Sequence, residues 1–270
     1  MVVDKIVILF MCYCIAGYIA EVIYCSIGQR HLVNRGFLYG PWLPIYGFGG
    51  VSIYLLLSPL ANYGVIGFIS VFLLSAIIAS IIEYIGSWGL EKIYSIKLWD
   101  YSKHFGNING RVCLLNSSLF GLGGIGIIYV VNPPLEKLIS RIPSYLYRYI
   151  AESIVVILAV DFVISSTHLK GLQNMLIRIK DFNTMIEARY DEMIKEGRED
   201  FAREYKARLQ QELERMHNEA ARKARHLFKV FPTCTTCNKD IKESMSRVRA
   251  IVEKKIETIR NERRSNSTTK

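Results

Sequence analysis

The residues that offer chemistry are charged or polar side chains set in or beside long apolar runs. The carboxylates are Glu21, Glu83, Glu91 and Asp100, with Arg35 and Arg111 as the natural counter-charges. Tyr46, Trp99 and Asn109 stand close to them in the chain. A carboxylate at membrane depth is costly, so it faces a bundle interior, a partner or water. Gathered with guanidinium, phenol, indole and amide donors, such carboxylates suit the binding of a small polar or zwitterionic solute. The same pairs would equally pin helices together. Asp161 is a further carboxylate within an apolar run.

Nothing in the chain resembles the constellation of a soluble enzyme, and no catalytic residue is assigned. His31 and His104 sit at the edges of apolar runs with no nucleophile beside them. His104 with Asp100 is the one pairing that a membrane enzyme acting on lipid head groups would use.

The elements that must position these residues are membrane helices. Hydrophobic residues make up 51% of the 270-residue chain, more than a soluble domain needs. About 20 apolar residues cross a bilayer as a helix. Candidate crossings fall at 6–27, 41–60, 65–85, 112–131 and 149–166, the last short and carrying Glu152 and Asp161. The first run outlasts a signal-peptide core and reads as a retained helix. The expected fold is all-α: a polytopic membrane helix bundle of about five transmembrane helices over 1–168. A cytosolic amphipathic helical tail follows at 169–264, a coiled-coil-like hairpin turning near 232–238. Residues 265–270 read as a disordered C-terminus.

Lys and Arg set orientation. Arg30, Arg35, Lys92, Lys97, Lys103, Arg111 and the basic tail fall on one side of a five-helix chain. The N-terminus is therefore expected outside the plasma membrane and the C-terminus in the cytoplasm. The net charge of +10 then faces anionic lipid. Nucleic acid is not an expected partner, because no recognition module is present.

Three motifs gather at the cytosolic ends of the helices. Residues 34–50 read NRGFLYGPWLPIYGFGG, residues 83–111 run from Glu83-Tyr84 through Trp99-Asp100-Tyr101 to Arg111, and residues 113–124 read CLLNSSLFGLGG. Gly and Pro at membrane depth are tolerated where backbone is buried in protein or lines a cavity. The N-R-G-F-L-x-G-P-x-x-P-I-Y-G run, then E-Y, W-D-Y and N-x-x-G-R-x-C-L, resembles a bacterial membrane family, the CmpB-like proteins described as ABC-transporter type IV. The resemblance covers about 20–130 and implies a transport role. It says nothing about the tail. No GxxxxGK[ST] loop occurs in the chain, so any ATPase is a separate polypeptide. The glycine run 121–126 lacks the strand and lysine of a nucleotide loop and reads as a helix-packing surface.

In the tail, Leu172, Ile179, Phe182, Ile186, Tyr190, Met193, Phe201 and later apolar residues keep helical spacing, so their stripe needs a cover. Pro232 ends this pattern, and apolar spacing resumes from Ile241. The shorter returning helix is expected to cover only the distal part. The stretch 172–201 is then left for a second copy or a partner helix, so a homo-oligomer or heteromeric complex is expected. Cys234 and Cys237 form a CxxC at the turn. Two ligands are half a zinc site, so zinc would be held only between two chains.

The expected function is a permease subunit for a small polar solute. The alternatives are a membrane-anchored scaffold or sensor using the coiled-coil tail, and the lipid-head-group enzyme. The topology makes a direct prediction. A reporter fused after Arg260 should be active only in the cytoplasm, and activity on the outer face would overturn the orientation.

Overall fold

The computed structural model describes residues 2–29, 36–231, 233–236 and 238–268. Arg35 and Cys237 lie outside the described residues. Eight α-helices occur among those described: α1 Val2–Gln29, α2 Pro44–Leu57, α3 Gly64–Tyr94, α4 Leu114–Ile125, α5 Asn132–Ser140, α6 Leu146–Lys195, α7 Glu199–Val230 and α8 Lys239–Thr268. A 3-10 turn, Ser58–Asn62, continues α2. No strand forms among the described residues, only two isolated bridges. Five stretches are long and apolar enough to cross a membrane: Val2–Ile27, Pro44–Asn62, Gly64–Tyr94, Leu114–Ser140 and Leu146–Lys195. The chain is an all-α multi-pass membrane protein.

It divides into two units. One comprises Met1–Leu90 and Trp99–Ser166, the other Glu91–Leu98 and Thr167–Lys270. Helices α3 and α6 contribute to both.

In the first unit α2 starts later than its apolar pattern implies. Leu43 is the N-cap and Pro44 opens the helix, where a missing N–H costs nothing. Residues 36–43 are irregular. Close approach of α2 to α1 depends on three glycines. A β-carbon at Gly17 would fall 2.2 Å from the Tyr46 ring, one at Gly47 would fall 2.5 Å from Cys14 Sγ, and one at Gly50 would fall 2.5 Å from the Tyr13 ring. Gly121 and Gly124 do the same for α4 on α3, against Phe72 and Ser75. This is the small-residue packing expected of the glycine run.

The fourth span is not one regular helix. A π-helical segment, Gly126–Val131, joins α4 to α5. Pro133 and Pro134 follow it. Their missing N–H groups deprive the preceding turn of donors, and a wider register is one way a helix absorbs that loss. Near this junction the Tyr13 hydroxyl donates to Asn132 Oδ1, and the Tyr54 hydroxyl donates to Glu136. Ile8, Leu9, Tyr13 and Ile139 form the buried core there.

The second unit corrects two expectations about the tail. It is not a single hairpin, because the chain also reverses at Gly197, whose φ of +74° suits glycine. Beyond that turn Lys206 of α7 returns beside α6. It pairs with Glu187 at 2.7 Å and sits 4.4 Å from the centre of the Tyr190 ring. α8 then runs antiparallel to α7, with Lys255 donating to Asn218 Oδ1 at 3.3 Å and Arg249 stacked over Phe228. The second correction follows from the first. Leu172, Leu176, Ile179 and Ile186 are buried within one chain, so the premise of an uncovered stripe over 172–201 falls away. Phe201 is the most exposed large apolar residue there, with Met185 and Ile177 also exposed. Residues 91–98 also join this unit. Lys97 and Thr235 exchange two backbone hydrogen bonds of 2.7 Å, and Ile96 and Leu98 are buried.

The glycine packing yields a paired prediction. Gly50→Ala must displace the Tyr13 ring and should lower Tm in detergent by about 3–8 °C, the scale of an overpacked core. Gly49→Ala meets nothing within 4 Å and should leave Tm unchanged or raise it. Equal effects of the two substitutions, read by thermal denaturation, would refute the close-contact account.

Candidate functional site

The site grows from a backbone problem. The irregular segment 36–43 dips between membrane helices, and Leu43 N–H reaches the Cys14 carbonyl of α1 at 3.1 Å. Backbone donors away from water need acceptors. Asp161 of α6 supplies them. Its Oδ1 accepts from Tyr39 N–H at 3.0 Å, and its Oδ2 accepts from Gly40 N–H at 2.9 Å and from the Trp42 indole at 2.8 Å. Ser165 Oγ adds a contact at 3.3 Å. Phe37 packs edge-on against Phe162, their centres 6.2 Å apart. Asp161 is buried yet surrounded by donors. Gly40 is required as well, since a β-carbon there would fall 2.0 Å from the Trp42 ring.

The candidate carboxylates Glu21 and Glu83 come together around two phenols. Tyr46, at the start of α2, donates to Glu21 Oε2 at 2.7 Å. Cys25 lies one turn beyond Glu21 on α1, its Sγ 3.5 Å from Oε1. Tyr101 donates to Glu83 Oε1 at 3.3 Å. Glu83 also feels the Glu21 charge, and Tyr46 feels Glu83 and Tyr101. Burial, helped by the nearby Glu83 and Glu21 carboxylates, pushes the Tyr101 phenol well above its usual pKa. It therefore stays a neutral donor. Glu83 is only 6% exposed, and its Oε2 is buried with no hydrogen-bond partner among the described residues.

Trp99, Asp100, Asn109 and Arg111 belong to the loop that carries Tyr101. Trp99 Nε1 donates to the Arg111 carbonyl at 3.0 Å and Tyr101 N–H to the Gly110 carbonyl at 2.8 Å, which closes the loop on itself. Asp100 Oδ1 accepts from the Ser102 amide and hydroxyl at 3.1 and 2.5 Å. Asn109, at φ +52°, donates to the Tyr84 hydroxyl at 2.9 Å. Arg111 reaches Ser87 Oγ at 3.4 Å and lies over the Tyr84 ring. These side chains tie the loop to α3 and so hold Tyr101 at Glu83.

Glu91 belongs to the second unit. So does Cys234, which is fully buried, its thiol pushed up to about 12 by burial against the opposing pull of Arg249. A metal needs the thiolate. Among the described residues no group of three or more His, Cys, Asp or Glu is placed to hold a metal.

Glu21, Tyr46 and Glu83 stand out in the sequence, whereas Tyr101 appears there only within the W-D-Y motif. Asp161 is marked there without a role. The W-D-Y motif was the available signal for Tyr101. For Asp161 the signal was the surplus of backbone donors in an irregular segment at membrane depth.

A family model described as "Putative ABC-transporter type IV" matches residues 8–166. It ends where the first unit ends. No curated protein and no solved structure matches the chain.

The Asp161 clasp predicts a local effect. Asp161→Asn turns one acceptor into a donor facing N–H groups and removes the charge, where each charge-assisted bond is worth about 1.5–3 kcal/mol. Amide exchange at Tyr39 and Gly40 should accelerate at least about tenfold, the equivalent of about 1.4 kcal/mol. Unchanged exchange at both amides would show that Asp161 does not hold the segment.

Proposed function

The chain belongs to the family described as "Putative ABC-transporter type IV", and from that premise we propose that it is the permease subunit of a transporter for a small polar solute. One observation carries the reading: a buried carboxylate, Glu83, with an unpartnered oxygen beside a second carboxylate and two phenols. A helix bundle needing only stability would not keep such a group, because an unsatisfied buried polar atom is destabilising. The irregular segment before α2 adds support, since broken helices near carboxylates recur at the binding sites of transporters. The chain has no phosphate-binding loop, so ATP hydrolysis belongs to a separate subunit. The part of the second unit beyond the family match, residues 167–270, is the element that would engage it. The lipid bilayer of the plasma membrane is the remaining partner, with the second unit on its cytoplasmic side.

A membrane-anchored scaffold or sensor is the second reading. It draws on α6, which contributes without interruption to both units. The two readings part at Glu83, which a scaffold does not need. Cells carrying the intact protein, none, or Glu83→Gln should be compared for their content of small polar metabolites. The substituted protein should reach the membrane at about the intact level and give the metabolite profile of cells without it. A profile equal to that of the intact protein would favour the scaffold.

A further inference from the structure

We propose that a pocket beside α8 binds a phosphate group through Arg249 and Lys242. The pocket lies wholly within the second unit, so the proposal stands apart from the permease reading.

The pocket has a volume of about 270 Å³ and lies where α8 meets the turn that follows α7. Lys242, Met245, Ser246, Arg249, Ala250 and Glu253 line it from the helix. Their steps of one, three and four place them in one row on its surface. Cys234, Thr235 and Thr236 line it from the turn. That turn is braced. Lys97 and Thr235 exchange backbone bonds, while the Thr236 hydroxyl donates to the Ser95 carbonyl and accepts from Asn238 N–H. The volume is at the low end for small-molecule sites, so the occupant is compact.

Arg249 decides the charge of that occupant. Its Nη2 is buried and has no hydrogen-bond partner among the described residues. A guanidinium stays charged in a protein, so this is a buried cationic donor with nothing to donate to. One face of the guanidinium lies over the Phe228 ring, 5.1 Å from its centre. Stacking of this kind leaves the N–H groups at the rim free to bond in the plane. Two groups in the pocket could neutralise Arg249, and neither does. Burial pushes the Cys234 thiol up to about 12, so it stays protonated and neutral. Glu253, one turn along α8, is exposed and leaves Nη2 without a bond. Elsewhere on the same helix Arg247 pairs with Glu243 at 2.8 Å.

Lys242 is exposed and adds a second cation to the row. Two cations against one exposed carboxylate leave the pocket positive, and it selects an anion. A phosphate group suits it, because the fork of Arg249 takes two oxygens while Lys242 acts as a point charge on the others. Lys242 also stands near the start of α8, where the helix dipole favours negative charge. Free phosphate, a soluble phosphate ester and a phospholipid head group share this chemistry.

The test is isothermal titration of the full-length protein in detergent and phosphate-free chloride buffer. The probes are inorganic phosphate, glycerol phosphate and detergent-dispersed phosphatidylglycerol, and at least one should bind saturably. Arg249→Gln should weaken that binding at least about tenfold, the effect of losing one charge-assisted bond. Glu253→Gln, which removes the opposing carboxylate, should tighten it, and a gain in affinity does not come from a variant that fails to fold. Arg247→Gln, whose guanidinium already has a partner, should leave it unchanged. The tightest of the three probes identifies the free ion, the ester or the lipid as the source. Saturable binding by none of them, binding that Arg249→Gln leaves intact, or binding that Glu253→Gln weakens would overturn the proposal.

Discussion

The Asp161 carboxylate is the contact on which the first unit depends. Cys14, whose carbonyl meets the Leu43 amide, lies about 18 Å along α1 from Val2 at 1.5 Å per residue. Asp161 lies about 22 Å along α6 from Leu146 by the same rise. Both lie within helices long and apolar enough to cross a membrane. Irregular backbone at that depth would leave Tyr39 and Gly40 N–H groups without water. One carboxylate accepts both and the Trp42 indole as well. With the segment held, α2 can begin at Pro44, and Tyr46 is delivered to Glu21.

The rest of the bundle follows from how closely the helices approach. Lipid is as apolar as leucine, so burial of apolar side chains gives membrane helices little reason to associate. Gly17, Gly47 and Gly50 bring α1 and α2 together, and Gly121 and Gly124 do so for α3 and α4. Polar pairs then fix register at two places in the bundle. Tyr13 with Asn132 and Tyr54 with Glu136 serve near the π-helical segment, and Ser80 with Ser117, 2.6 Å apart, serves between α3 and α4. The Glu21–Tyr46 bond belongs with these in form, but its neighbour Glu83 does not.

Much of this was legible in the sequence because it rests on local patterns. Five apolar runs announce five spans, and two prolines and five glycines in 34–50 announce backbone that is not a plain helix. Glu21, Tyr46 and Glu83 stood out as polar groups at membrane depth. The partnership of Asp161 with Tyr39, Gly40 and Trp42 was not legible, because it spans about 120 residues and no spacing rule links α6 to that segment. The tail misled for a related reason. The stripe through Leu172, Ile179 and Ile186 says that a cover is needed but not which segment provides it. The reversal at Gly197 brings α7 back beside α6 and supplies a cover within the chain. Residues 91–98 carry no periodic signal at all, and only the bridge to Thr235 shows which unit they join.

Asp161 and Glu83 make the decisive comparison. Both are buried carboxylates in membrane helices of the first unit, and both bond to motif residues from the loops. Asp161 has donors for both oxygens, two of them backbone N–H groups that could find no other acceptor at that depth. Its role is complete as the protein stands. Glu83 has one weakly held phenol, a like-charged neighbour and an oxygen with nothing to accept from. Evolution can satisfy such a group cheaply, by placing a serine or asparagine one helical turn away, as Ser165 stands to Asp161. Around Glu83 the corresponding positions are Ala79 and Ser87. Ser87 is engaged with Arg111 instead, and Ala79 offers no donor. The bundle thus saturates one carboxylate and leaves an oxygen of its counterpart without a donor among the described residues.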